Sequence, residues 1–445
     1  MIRRCPPIAF IKRQAGGLNG TNGTMLARRT GVGSAICGFD PAEPAKGTWV
    51  IFDAPDGFIL DMGISHDGRK IVFAYKEKAA TGEHPFHIFE IGVDGKGLRR
   101  LSKGPYHDIS PMYLPDGRIV FNSTRVEAYS MCQDFLAAAL HVMDGDGANV
   151  RRLEYNTLSN TTPYVLDDGS ILFTRWEYQD KNIFCTQALW TINPDGSRLQ
   201  LFYGNTLTVP NAIYGAKQIP GTRNVLCTLA AHHYPPMGGI AIIDRSLGLE
   251  STESMRILTP DVPYRVTKGR DWKDTNWQPG DVFYPWSYTD PWPLAEDLFL
   301  VSYGGPLTGG PERYRLYLMD ATGFKTPLYD DPATSCFHPM PLTSRPLPHQ
   351  VPGQPPSESR GEGYFYVQDV YEGLLSWGVQ RGQVRALRIM SQLPKRYNTE
   401  GPRYSDHYPA IGEGTYYVKV NYGTVPVDDE GSAYFAAPAG VELYF

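Results

Sequence analysis

His232, His233 and Tyr234 stand side by side before a Pro-Pro pair in the stretch LAAHHYPPMGG. Two imidazoles and a phenol in one short loop are the ligand types that zinc or a haem edge accepts. A thiolate from a neighbouring loop would complete such a set. Cys132, with Asp134 beside it, is the natural donor, and Cys185 is the next. The competing reading makes the histidines loop caps and the cysteines buried apolar groups. Arg125 and Arg175 end two similar phrases, NSTR and LFTR, so they occupy matching repeat positions. Guanidinium forks there could clamp a carboxylate or other anion, with Tyr234 as a further ligand-binding candidate. The alternative is an ion pair to a turn aspartate of a neighbouring repeat.

The elements that must position these residues repeat along the chain. ISHDGRKIVFAYK, DISPMYLPDGRIVFNSTR, TTPYVLDDGSILFTR and a weaker AKQIPGTRNVLCTLA place turn glycines at 68, 117, 169 and 221, spaced 49, 52 and 52. A second Asp-Gly turn follows in each copy, as in FEIGVDGKGLRR, HVMDGDGANVRR and TINPDGSRLQ. Asp-Gly between alternating apolar runs encodes a hairpin. Four short strands every fifty residues describe a propeller blade. The spacing predicts an all-β chain: a roughly six-bladed β-propeller over 1–340, with blades near 58, 107, 158 and 208 and a sixth at 286–330. A Pro/Ser/Gly-rich linker follows over 341–362, then a small β-sandwich-like domain over 363–445.

Within this plan the His, Cys and Arg candidates fall on or beside the connection between second and third strands, where propellers carry their sites. VEAYSMCQDFLAAAL (126–140) is the one helical candidate, and GTVPVDDEGSAYF is expected to form a hairpin. DGDGAN (144–149) lacks the acidic residue that a calcium loop needs at its twelfth position, and reads as a turn. The tryptophan-rich stretch at 271–293 reads as a stacking platform or as a satellite core.

With 445 residues, 42% hydrophobic, there is ample material for a core, and 37 prolines with 46 glycines suit short strands. A net charge of −5 without a basic stripe gives nucleic acid nothing to bind. No apolar run is long enough for a helical membrane span. The six cysteines include no C-x-x-C pair, and Cys227 in VLCTLA reads as a buried strand residue. No signal peptide is legible, and both ends read as cut, as in part of a longer frame.

PPIAFIKR, ILDMGISHDGRKIVFAYK, VYEGL, RGQVRALRI and GTVPVDDEGSAYFAAPAG together make the chain similar to the hydrazine synthase alpha-subunit-like family. The blade phrase on its own resembles Tol-type propellers with WD40-like (PD40) repeats. The family resemblance implies a periplasmic or extracellular protein whose propeller works beside c-type haem modules. The chain has no C-x-x-C-H, so a c-type haem would have to lie beyond Phe445 or on a cytochrome-like partner. The expectation is a propeller that shapes a redox pocket, with zinc as the candidate metal. The alternative is a non-enzymatic propeller that binds a protein or glycan.

Overall fold

The computed structural model describes residues 1–14, 32–78, 84–126, 128–129, 136–177, 187–207, 209–230, 236–262, 286–305, 313–353, 361–394, 396 and 418–445. Among them, the strands of residues 8–341 fall into antiparallel sets of four, the last two of which are joined through a Gly238–Tyr288 pair. Set two holds Phe58–Ile64, Lys70–Lys76, His87–Gly92 and Arg99–Arg100; set three runs from Asp108–Tyr113 to Arg151–Arg152. Set four runs from Asn160–Val165 to Gln200–Tyr203, set five from Ala212–Gln218 to Met255–Ile257, and set six from Ser287–Ala295 to Lys325–Tyr329. The Asp-Gly turns predicted from sequence form where expected: Gly68, Gly117 and Gly169 adopt φ of 72°, 86° and 84° and donate back to Ser65, Leu114 and Leu166.

Set one is closed by residues from both regions of the chain. Ile8–Arg13, Ser34–Phe39 and Thr48–Ala54 supply three strands, and Ser335–Pro341 pairs antiparallel with Ile8–Arg13 as the fourth. Ile8, Phe10 and Ile11 are fully buried at this seam, as are Cys336 and Phe337. Lys12 pins it: its ammonium lies 2.9 Å from Asp331 and 2.8 Å from the Tyr329 hydroxyl.

Neighbouring sets share one further device. Gly147, in the outer turn of set three, lies where a Cβ would come within 2.2 Å of the Leu101 carbonyl oxygen of set two. Gly196 and Gly323 stand in the same relation to Leu153 and Leu258, at 2.8 and 1.9 Å. Turn backbone therefore packs directly on the preceding set.

Among the described residues of 126–140, namely 126, 128–129 and 136–140, the LAAAL pattern does not form the helix it suggested. Tyr129 and Leu136 bridge antiparallel, and Ala139–Met143 is a fully buried strand. Burial between two sheets outweighs the helix preference of alanine and leucine. Asp144–Gly147 is a turn, as read.

After set one closes, residues 342–353 form a strap without regular structure. His349 donates to Asp167, and Arg345 donates to His66 and Ile64, which fastens the strap across the turns of sets two and four. Beyond it, Glu362–Val367 pairs with Ala433–Pro438, and Ala386–Gln392 pairs with Lys419–Pro426. The two ribbons share a core of Ile389, Ala433, Phe435 and Ala437. The acidic turn at Asp428–Gly431 forms, but it is a corner between the ribbons and not a hairpin, because its flanking strands pair elsewhere. Apolar residues on both flanks are drawn into the shared core, which opposes the ribbons rather than zipping them.

Candidate functional site: an axial chamber

The innermost strands of all six sets, the first of sets two to six and Ser335–Pro341 of set one, line one cavity of about 100 Å³. Each carries a β-bulge against its partner strand, at Leu60–Asp61, Ser110–Pro111, Thr162–Pro163, Gly215–Ala216, Asp290–Pro291 and His338–Pro339. A bulge bends the strand and re-aims its side chain. At five of the six the first bulged residue has positive φ: 54° at Ser110, 52° at Thr162, 58° at Gly215, 53° at Asp290 and 52° at His338. Left-handed backbone at four non-glycine residues costs on the order of 1 kcal/mol or more each, and such strain persists where surroundings over-determine it.

The surroundings here are a belt of hydrogen bonds from set to set. The Ser110 N–H and hydroxyl donate to Asp61 at 3.0 and 2.9 Å, the Gly215 N–H to Thr162 at 3.2 Å, and the His338 N–H to Asp290 at 3.1 Å. The His338 ring also faces Asp290 at 3.4 Å. Arg13, 1% exposed, places its guanidinium 4.1 Å from the Phe337 ring and 5.2 Å from Phe58. Trp292 and Tyr164 contribute aromatic wall, and the strap sets the Arg345 guanidinium 5.0 Å from Trp292.

These charges are perturbed in opposite ways. Burial pushes Asp61 up to about 6, against the hydrogen bonds from Ser110 and the charge of Arg13. Burial also presses on Asp290, but His338, Arg13 and Lys217 outweigh it and hold the carboxyl below its ordinary value. Lys217 is pushed down to about 8 by burial, with Asp290 opposing. Its side chain retains some accessible surface because it faces the chamber.

The Asp61 shift fixes a pH dependence. The folded state binds this proton more tightly than the unfolded chain, whose aspartates titrate near 4. Asp61 therefore favours folding below about pH 4, and that contribution, on the order of 3 kcal/mol, is lost as pH rises through about 6. Asp61→Asn is expected to be more stable than wild type at pH 8, with the difference vanishing near pH 4. Urea titrations across that range test it, and a gap independent of pH would refute the charge argument.

The sequence candidates lie elsewhere. Cys132, Cys185, His232, His233 and Tyr234 fall outside the described residues, between the second and third strands of sets three, four and five. Arg125 pairs with Asp108 of its own set, with one contact at 3.0 Å, and donates to the Lys103 carbonyl. Arg175, 3% exposed, pairs with Glu177 at 2.6 Å, Glu154 at 3.4 Å and Glu442 of the C-terminal ribbons. Both guanidiniums are thus engaged with carboxylates, and Arg175 joins propeller to ribbons. Among the described residues no three of His, Cys, Asp or Glu converge as a metal-holding group. The chamber residues were missed in sequence, although Ser-Pro, Thr-Pro, Asp-Pro and His-Pro recur in these innermost strands.

Fold and chamber define an all-β propeller whose axial cavity sets a few charged groups in a largely apolar wall. No protein-family model matches the chain, and no curated protein does. Among solved structures it is similar to hydrazine synthase from Kuenenia stuttgartiensis, with a TM-score of 0.73 and 18% identity over 99% of this chain. The match spans 64% of that chain's length. A TolB from Acinetobacter baumannii matches at a TM-score of 0.47 and 15% identity, over 75% of this chain and 66% of that one. The identity to hydrazine synthase is at the level that shows shared fold.

Proposed function

We propose that this chain is the propeller scaffold of an exported protein built like the hydrazine synthase alpha-subunit-like family. Its loops between second and third strands shape a redox or haem-adjacent pocket, completed by sequence outside these residues or by a haem-bearing partner. The observation that carries this reading is a fold match covering 99% of the chain, propeller and C-terminal ribbons together. Periplasmic or extracellular residence belongs to the same proposal. A covalent c-type haem does not fit the residues present, since no C-x-x-C-H occurs among them. Zinc suits a thiolate and imidazoles from Cys132, His232 and His233, and it would supply Lewis-acid polarisation.

Elemental analysis of the purified chain tests the proposal. The expected result is about one zinc per chain, lost in the Cys132→Ala and His232→Ala variants while the melting temperature is kept. Neither zinc nor retention of an added haem protein would leave the non-enzymatic reading. That second reading draws on the outer face of the C-terminal ribbon. Tyr364, Tyr366 and Tyr434 are each about two-thirds exposed there, and Tyr364 stacks on Tyr434 at 5.7 Å. Flat exposed aromatics of this kind suit a glycan or protein ligand.

A further inference from the structure

The chamber holds a cation whose surroundings are unusual. Lys217 has three N–H donors, and the structure spends one, on the Gly215 carbonyl at 3.1 Å. Among the described residues it enters no ion pair within 4.0 Å, and its ammonium stands 5.5 Å from the Trp292 ring. Asp61, across the same cavity, takes its hydrogen bonds from the neutral Ser110, with the charge of Arg13 acting on it as well. Asp290 acts on this ammonium only from beyond ion-pair distance. A buried ammonium without a direct carboxylate contact is costly, and a folded chain gains when an anion from outside supplies one.

The walls state what that anion must look like. A cavity of about 100 Å³ is smaller than the roughly 150 Å³ that takes up benzene, so a guest has about four to six non-hydrogen atoms. Trp292, Tyr164 and Met112 offer apolar wall for a short hydrocarbon piece. Asp61 and Asp290 would repel a second negative charge, but they accept hydrogen bonds, as do the Ser110 and Thr162 hydroxyls.

We infer that the axial chamber binds a short monocarboxylate bearing a hydroxyl or amino group on carbon 2, with Lys217 on the carboxylate and the acidic wall on the donor. Dicarboxylates are excluded by charge and size and phosphate by its charge, and plain acetate forfeits the second contact. The site is built wholly from described propeller strands, and it stands independently of any metal or haem at the outer loops.

Titration calorimetry of the whole chain with glycolate, glycine, acetate, succinate and phosphate tests this. Glycolate or glycine is expected to bind, acetate at least fivefold more weakly, and succinate and phosphate not at all. Lys217→Met, which keeps an unbranched apolar side chain, is expected to weaken binding at least tenfold. Reductive methylation of the wild type gives a readout that needs no variant. Saturating glycolate should protect Lys217 in peptide mass spectra and leave the exposed Lys46 and Lys78 unprotected. Failure of every short carboxylate to bind, wild-type affinity in a folded Lys217→Met, or unchanged methylation of Lys217 would each overturn the inference.

Discussion

Arg175→Met is expected to remove about 3–5 kcal/mol of folding stability, the largest loss of any single surface-distant substitution proposed for this chain. The guanidinium is 3% exposed and sits among three carboxylates that are themselves 1%, 8% and 11% exposed. Methionine fills much of the same space and packs on Trp190, whose ring now lies 5.3 Å from the guanidinium. It leaves Glu154, Glu177 and Glu442 without their shared cation. The cost comes from the uncompensated charges, because an intact buried pair contributes far less than its broken half removes. Urea denaturation measures the loss. Limited proteolysis supplies a second reading, since Glu442 anchors the C-terminal ribbons to set four and these should become cleavable first. A loss under 1 kcal/mol, with no change in cleavage, would mean that Arg175 is a spectator.

Gly323→Ala and Gly117→Ala form the second prediction, as a matched pair. Both glycines hold φ near 87°, so alanine carries the same left-handed penalty of about 1–2 kcal/mol in each. Around Gly117 a Cβ meets nothing within 4 Å, and the penalty is the whole effect. At Gly323 it would sit 1.9 Å from the Leu258 carbonyl oxygen, which is backbone of the neighbouring set and cannot swing aside. The two sets must separate, which adds about 1–3 kcal/mol on the scale of overpacked cores. Thermal melts of both variants check the difference. Equal losses would show that the sets do not rest on one another at this turn.

Much of the architecture was legible because it is encoded locally. An Asp-Gly turn dictates its own hairpin, so Gly68, Gly117 and Gly169 announced their strand pairs without help from the rest of the chain. The pairing of Ile8–Arg13 with Ser335–Pro341 has no such signal, because neither segment carries a mark of its partner. LAAAL misled for the opposite reason: its local preference is helical, and only the tertiary setting makes it strand. The turn at Asp428–Gly431 was read correctly as a turn, but which strands it joins depends on where Phe435 and Ile389 find their core. At the chamber, the polar residue before proline in DISPMY, NTTPYV, YTDPWP and CFHPMP was a visible pattern whose meaning required the ring. Lys217 offered no signal, since in AKQIPG it reads as an ordinary strand lysine.

The seam in set one has a consequence for how the protein comes into being. Its strand Ile8–Arg13 leaves the ribosome on the order of 300 residues before its partner Ser335–Pro341. At roughly 5–20 residues per second that is a wait of about 15–60 s, during which Ile8–Arg13 can pair with Ser34–Phe39 but its other edge stays open. A growing chain of this kind has no completed ring to protect it, and an unpaired apolar edge invites other chains. The ring cannot lock until its last strand arrives.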